Sequence, residues 1–156
     1  MAGIIIMGFP GCGKQTFFDE SHKNYPPKVT MANVNPDDCE PQNFEEDFVR
    51  LVNEKVEKYD VVFVPFDNMI MRILHQNAID YDLFYPERKR RPEFLQNFVR
   101  QKRDMKENQR IDYKWMDWID MAENETSEYC HKHQLKRDEY IGNNPMILEY
   151  VNSLQK

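Results

Sequence analysis

The stretch GFPGCGKQT, residues 8–16, holds the side chains and spacing best suited to chemistry in this 156-residue chain. Gly8 and Gly13 stand four residues apart and Lys14 follows, the spacing of a loop that cradles phosphate groups. Glycines let successive backbone amides turn inward as a concave anion site, and the positive end of a following helix adds to it. Lys14 would place a point charge at the β- and γ-phosphates of a triphosphate. The ordinary alternative is a glycine-rich turn with a surface lysine. An apolar run before the loop and a helical pattern after it argue for the phosphate loop instead. The generic loop has Ser or Thr after the lysine to hold magnesium; here Gln15 follows, and Thr16 comes one later.

Acids and cations elsewhere extend this chemistry. Asp67 follows an apolar run, where P-loop enzymes place an acid that orients magnesium waters. It is also a natural N-cap for the next helix, and the two roles are compatible. Asp37 and Asp38 sit in an Asn35-Pro36-Asp37-Asp38 turn after a second apolar run, and either can accept a proton from an attacking hydroxyl. Ordinary turn chemistry explains the same four residues. The densest charge is Arg88-Lys89-Arg90-Arg91, continued by Arg100, Lys102, Arg103 and Lys106. Such runs are usually solvated helix faces, yet phosphoryl transfer needs cations around the equatorial oxygens. His75, His131 and His133 form no ligand set, and Trp115 and Trp118 read as core.

The elements that must position these residues are legible as alternating patterns. AGIIIMG (residues 2–8) is a continuous apolar run, which predicts a strand buried on both faces. A helix of roughly ten residues starts at Lys14 and ends at Asn24-Tyr25-Pro26-Pro27. Residues 28–34 are a second strand. Phe44, Phe48, Leu51, Val52 and Val56 fall at helical spacing within residues 42–59. VVFVPF (61–66) is a third strand, and Asp67-Asn68 caps a helix carrying Met69, Ile70, Ile73 and Leu74. DYDLFY (80–85) is a fourth strand, closed by Pro86. Amphipathic helices cover about 92–106 and 109–123, a short fifth strand lies around Gln134-Leu135, and a last helix starts at Asn144-Pro145. The alternation predicts one α/β domain over residues 1–156, a three-layer α/β/α sandwich on a parallel five-stranded sheet.

The loop in full, Gly8-Phe9-Pro10-Gly11-Cys12-Gly13-Lys14-Gln15-Thr16, resembles the G-x-P-G-x-G-K-G-T loop of adenylate kinase-like P-loop enzymes. There too the residue after the lysine is neither Ser nor Thr. The family's Asp-Gly-Phe-Pro-Arg stretch at the end of the third strand is replaced by Val64-Pro65-Phe66-Asp67. The later pattern is similar to small phage-encoded P-loop nucleotide kinases. It comprises Tyr59-Asp60-Val61-Val62-Phe63-Val64, Tyr85-Pro86, Glu93-Phe94-Leu95 in a basic helix, a tryptophan-bearing helix, and Glu139-Tyr140-Ile141.

The resemblance implies a P-loop kinase sheet and an ATP-dependent phosphotransferase that moves the γ-phosphoryl of ATP to a nucleoside monophosphate or similar small nucleotide. ATP would be held by Gly8, Gly11, Cys12, Gly13, Lys14, Gln15 and Thr16. Mg²⁺ would be held largely through waters and phosphates, with Gln15 and Asp67 as its protein contacts. The implied catalytic set is Lys14, Asp37, Asp67, Arg91, Arg100 and Arg103. A lid over about residues 86–106, with Glu87 to Pro92 too polar for the core, would bring one of its arginines, Arg88 included, over the phosphates. A polynucleotide or hydroxymethyl-pyrimidine DNA kinase would use the same parts, and a non-catalytic nucleotide-binding module would use the loop alone.

Composition bounds these readings. The net charge of -6 gives no global basic field for nucleic acid, although local charge can act. Three cysteines, Cys12, Cys39 and Cys130, stand far apart in no metal-ligand spacing, which predicts reduced thiols in a cytoplasmic setting. The apolar run from Gly3 to Phe9 is too short for a signal sequence or a membrane span, so no membrane partner is expected.

Overall fold

The computed structural model of the chain describes residues 3–14, 16–17, 29–100 and 105–154. Five strands form one parallel sheet: β1 (Ile4–Gly8), β2 (Met31–Asn33), β3 (Val61–Val64), β4 (Tyr81–Pro86) and β5 (Cys130–Leu135), in the order β2-β3-β1-β4-β5. The helices are α1 (Phe44–Lys58), α2 (Asn68–Gln76), α3 (Arg91–Arg100), α4 (Met105–Asn124) and α5 (Pro145–Ser153). Lys14, Thr16 and Phe17 are also helical; the rest of the helix expected there, Gln15 included, lies outside the described residues.

The strand order sends the chain from β1 toward one edge of the sheet, then back across it toward the other. Right-handed crossovers running in opposite directions place their helices on opposite faces. Burial agrees. Ile5, Met7, Val62, Val64 and Leu83 pack with Phe48 and Val52 of α1, Ile70 and Leu74 of α2, Phe94 of α3 and Trp115 and Ile119 of α4. The alternate residues Ile6, Val61, Phe63 and Phe84 pack with Phe17 and with Ile147 and Val151 of α5. A strand's period of two thus feeds two cores, and the three-layer α/β/α architecture expected from the sequence is the one observed.

Element boundaries move where tertiary context outweighs local signals. The second strand contracts to Met31–Asn33, and the helix expected from residue 42 starts at Phe44 after a 3-10 turn at Pro41–Asn43. Pro86 does not stop β4 but is its last residue, paired with Leu135. Phe9 donates its N–H to Phe84 O and Glu87 donates to Leu135 O, so position 86 faces the β1 side, where β1 has already ended and no ladder needs an N–H. The fifth strand spans Cys130–Leu135, longer than expected, because its polar sequence CHKHQL sits at the sheet edge. Its cross-strand pairs are His131 with Asp80 at 3.0 Å and His133 with Asp82 at 2.8 Å.

The expectation that Glu87 to Pro92 is too polar for the core fails at Arg90, which is only 4% exposed. Its charge is tolerated there because each guanidinium nitrogen has a partner, as described below. Among the described residues no helix is long and apolar enough to cross a membrane.

The last helix begins as its sequence predicts. Asn144 accepts from the N–H groups of Met146 at 3.0 Å and Ile147 at 3.4 Å, with Pro145 in the first turn. Asn144→Ala should lower unfolding free energy by about 1–2 kcal/mol, measured by denaturant titration, because the cap is buried and its loss leaves two amides without acceptors.

Candidate functional site

The glycine loop leaves the carboxyl end of β1, the strand beside which the chain changes direction across the sheet. That switch point, outside the strand ends, is where open parallel sheets form their ligand crevice. Gly11 and Gly13 have φ of 84° and 90°, a region that side-chain-bearing residues rarely adopt. The Cys12 N–H closes the turn on Phe9 O at 3.0 Å, and Phe17 N–H bonds Gly13 O at 2.9 Å, so a helix starts as the loop ends. The first amides of that helix have no partner within it and are available to an anion.

Two sets of contacts hold the loop. In the first, Phe9 is fully buried and inserts its ring among Trp115 at 4.8 Å, Phe66 at 5.3 Å, Trp118 at 6.0 Å and Phe94 at 6.4 Å. In the second, the turn after β5 lies against the loop: Ile141 N–H donates to Cys12 O at 3.0 Å, and a Cβ at Gly13 would stand 3.1 Å from that of Tyr140. Cys12 is enclosed between them, and burial pushes its thiol up to about 12, which leaves it unreactive.

Lys14 is half-buried, with its ammonium 5.4 Å from the centre of the Phe63 ring. Burial depresses its pKa below the usual 10.5. A cation kept partly out of water has more to gain from a phosphate than a solvated one. Thr16, the other described loop residue expected to contact nucleotide, is exposed.

The expected acids line the same carboxyl edge. Asp67 follows β3 and caps α2, accepting from Met69 N–H at 2.8 Å and Ile70 N–H at 3.2 Å. Both bonds use Oδ1, so the exposed Oδ2 is left to face solvent. Asp37 and Asp38 follow β2 in a 3-10 turn, where Asn35 Oδ1 accepts from Asp37 N–H at 2.9 Å; both are exposed. Among the described residues no cluster of three or more His, Cys, Asp or Glu side chains is built to hold a metal ion.

The cations after β4 behave differently from one another. Arg88 pairs with Asp120 at 2.6 Å and Glu123 at 2.9 Å, and Arg91 pairs with Asp112 at 2.5 Å, all on α4. Arg103 and the side chain of Arg100 lie outside the described residues. Arg90, in the same run, packs against both the Phe94 and the Tyr140 ring, 5.0 Å from each, while the two rings stack on one another at 6.0 Å. Within the expected lid at 86–106, Arg90 and Phe94 are therefore core.

α4 leads into β5 and so runs toward the opposite end of the strands, and Trp115, near its midpoint, meets Phe9 at the carboxyl edge. The half before Trp115, about 15 Å of helix, therefore extends past that edge. Lys106, Gln109, Arg110, Asp112, Tyr113 and Lys114 are all exposed there.

Sequence reasoning missed the bracing residues. Phe9 carried the one available signal, a large apolar side chain inside an otherwise small and polar loop. Tyr140 and Arg90 carried none, since the carbonyl partners of Arg90 are 45 to 49 residues distant and the hydrogen-bond partners of the Tyr140 hydroxyl are 43 and 47 residues distant.

The fold and site define a parallel α/β protein with a phosphate-type glycine loop at its switch point. Among solved structures the chain is similar to an uncharacterized protein from Eubacterium ventriosum ATCC 27560, at 14% identity and a TM-score of 0.56, covering 98% of this chain and 99% of that one. It is also similar to shikimate kinase from Bacteroides thetaiotaomicron, at 14% identity and a TM-score of 0.43, with 99% and 96% covered. No protein-family profile and no curated protein matches the sequence. The first likeness shows the overall fold, end to end.

The depressed pKa of Lys14 has a consequence for stability. Its penalty is full below the lowered value and is relieved as pH climbs from there toward 10.5. Lys14→Met should therefore raise the thermal midpoint of the ligand-free protein at neutral pH, and by less in strongly alkaline buffer. A midpoint that falls at neutral pH would show that the ammonium is not desolvated.

Proposed function

We propose that this chain is an ATP-dependent phosphotransferase of the nucleotide-kinase type. The observation that carries the reading is the loop itself, with positive φ at Gly11 and Gly13 and a half-buried Lys14 opening a helix at the sheet's switch point. The loop amides and Lys14 bind the β- and γ-phosphates of ATP, with Gln15 and Thr16 next in line. An acceptor oxygen attacks the γ-phosphorus, the bond to the β–γ bridging oxygen breaks, and ADP leaves. Asp37 or Asp38, at the end of β2, takes the proton when that oxygen is a hydroxyl.

When bound with the nucleotide, Mg²⁺ would supply charge neutralisation for the phosphates, with Gln15 and Asp67 as the residues that would hold it, partly through water. Asp67, whose Oδ2 is outside its capping bonds, fits the role of orienting water on that ion, and the lack of a dense ligand cluster among the described residues fits an ion that arrives with its nucleotide. In this reading the lid over about residues 86–106 closes with Arg100 and Arg103 as its candidate cations, while Arg90 and Phe94 stay in the core. Arg91 would have to exchange Asp112 for a phosphate oxygen on closure.

The acceptor is a nucleoside monophosphate in the first reading. A second reading, a kinase for a hydroxyl of nucleic acid or of a modified base, is favoured by one observation. Asp67 caps α2 and Asn68 begins it, so the residues directly after β3 bring no cation for an acceptor phosphate.

Labelled ATP incubated with nucleoside monophosphates, their deoxy forms and oligonucleotides should give transfer to a monophosphate. Transfer to oligonucleotides alone selects the second reading, and ATP binding without transfer to any acceptor leaves a nucleotide-binding module. Lys14→Ala should weaken ATP binding and abolish transfer in every case. Retention of parental transfer in that variant would reject the loop as the ATP site.

A further inference from the structure

Each nitrogen of the Arg90 guanidinium has a partner inside the protein. Nε and Nη2 reach Glu93 at 3.1 and 2.7 Å, while Nη1 points at the carbonyls of Leu135 at 3.3 Å, Lys136 at 2.7 Å and Glu139 at 2.7 Å. The Tyr140 hydroxyl donates to the same Glu93 carboxylate and accepts from Asn97 Nδ2 at 2.9 Å. The Phe94 and Tyr140 rings, stacked on each other, both pack against the guanidinium. This is a poor arrangement for a phosphate ligand. To reach an anion at the loop, Arg90 would have to give up its bonds to a carboxylate and three carbonyls.

The three carbonyls belong to the turn between β5 and α5, and that turn touches the glycine loop. Tyr140 stands against Gly13, and the next residue, Ile141, gives its N–H to Cys12 O. Glycines at positive φ have no side chains to hold their conformation, so an external template must select it. We propose that Arg90 is a positioning residue for the phosphate site. By gathering the 135–139 carbonyls and Glu93 around one planar cation, it fixes the turn whose Tyr140 and Ile141 hold Cys12 and Gly13 in their anion-binding conformation. This inference rests on the loop being the ATP site. Lysine cannot replace Arg90, because one ammonium cannot span a bidentate carboxylate and the carbonyls opposite it.

The test compares the parent, Arg90→Lys and Tyr140→Phe, with Val52→Ala in the distant core of α1 as a control for stability loss. Each is measured for ATP affinity by titration calorimetry, for thermal midpoint, and for amide exchange at Ile141. Arg90→Lys should weaken ATP binding about 10- to 100-fold, the scale on which groups behind a ligand shell act. It should also speed exchange of the Ile141 amide, whereas Val52→Ala lowers the midpoint and leaves affinity and that amide unchanged. Tyr140→Phe, which keeps the ring on Gly13 but loses the hydroxyl to Glu93, should weaken ATP binding by less than Arg90→Lys, and it carries the test if Arg90→Lys does not fold. Parental affinity in the folded Arg90 or Tyr140 variants overturns this inference alone, as does an affinity loss in Val52→Ala proportional to its loss of midpoint. No ATP binding by the parent overturns the kinase reading and this inference with it.

Discussion

A loop that offers its backbone amides to an anion cannot use those amides to hold itself together. Everything else at the carboxyl edge of this sheet follows from that constraint. Gly11 and Gly13 supply the backbone conformation, and for the same reason they supply no side chains to pack. The conformation must be imposed from outside, and the protein does so twice. Phe9 anchors the loop into the aromatic cluster on one face of the sheet, and the turn that carries Tyr140 and Ile141 closes on Cys12 and Gly13.

This arrangement ties the site to the whole fold. Phe94 and Trp115 come from α3 and α4 and meet Phe9 edge-on, so the helices that cover the sheet also support the loop. Arg90 joins the start of α3 to the turn after β5, two segments that lie far apart in the chain. A buried guanidinium is an expensive way to close a gap between elements. It is tolerable here because Glu93 supplies the opposite charge and three carbonyls gather around Nη1. The hydrogen bond from Arg90, aided by the Tyr140 hydroxyl, outweighs burial and holds the Glu93 carboxyl below its usual range, so it stays ionised and the pair stays whole.

The same packing sets the limits of movement. A lid hinged at Pro86 would have to pull Arg90 and Phe94 out of the core, whereas the half of α4 before Trp115 contributes only exposed side chains among those described. A site that closes over charged ligands needs a rigid cradle as well as a movable cover. The core position of Arg90, Phe94 and Trp115 supplies the first.

The order of strands and helices was legible in the sequence because each depends on local periodicity and on caps. Apolar runs made β1, β3 and β4 readable, Asp67 and Asn144 marked helix starts, and the Gly8 to Lys14 spacing marked the loop. β5 was nearly hidden, since an edge strand with one pairing partner can be as polar as CHKHQL. The arginine run shows the limit most clearly. Four adjacent basic residues look alike in sequence, yet Arg88 and Arg91 lie on the surface against α4, Lys89 is exposed, and Arg90 is core. What separates them is the arrival of three carbonyls from more than forty residues away, and no local pattern encodes that. The sequence by itself determined most of the elements and the glycine loop, because both are written in nearest-neighbour chemistry. Only the tertiary structure decided which charges belong to the surface and which hold the loop in place, because a charge survives burial only where distant partners converge on it.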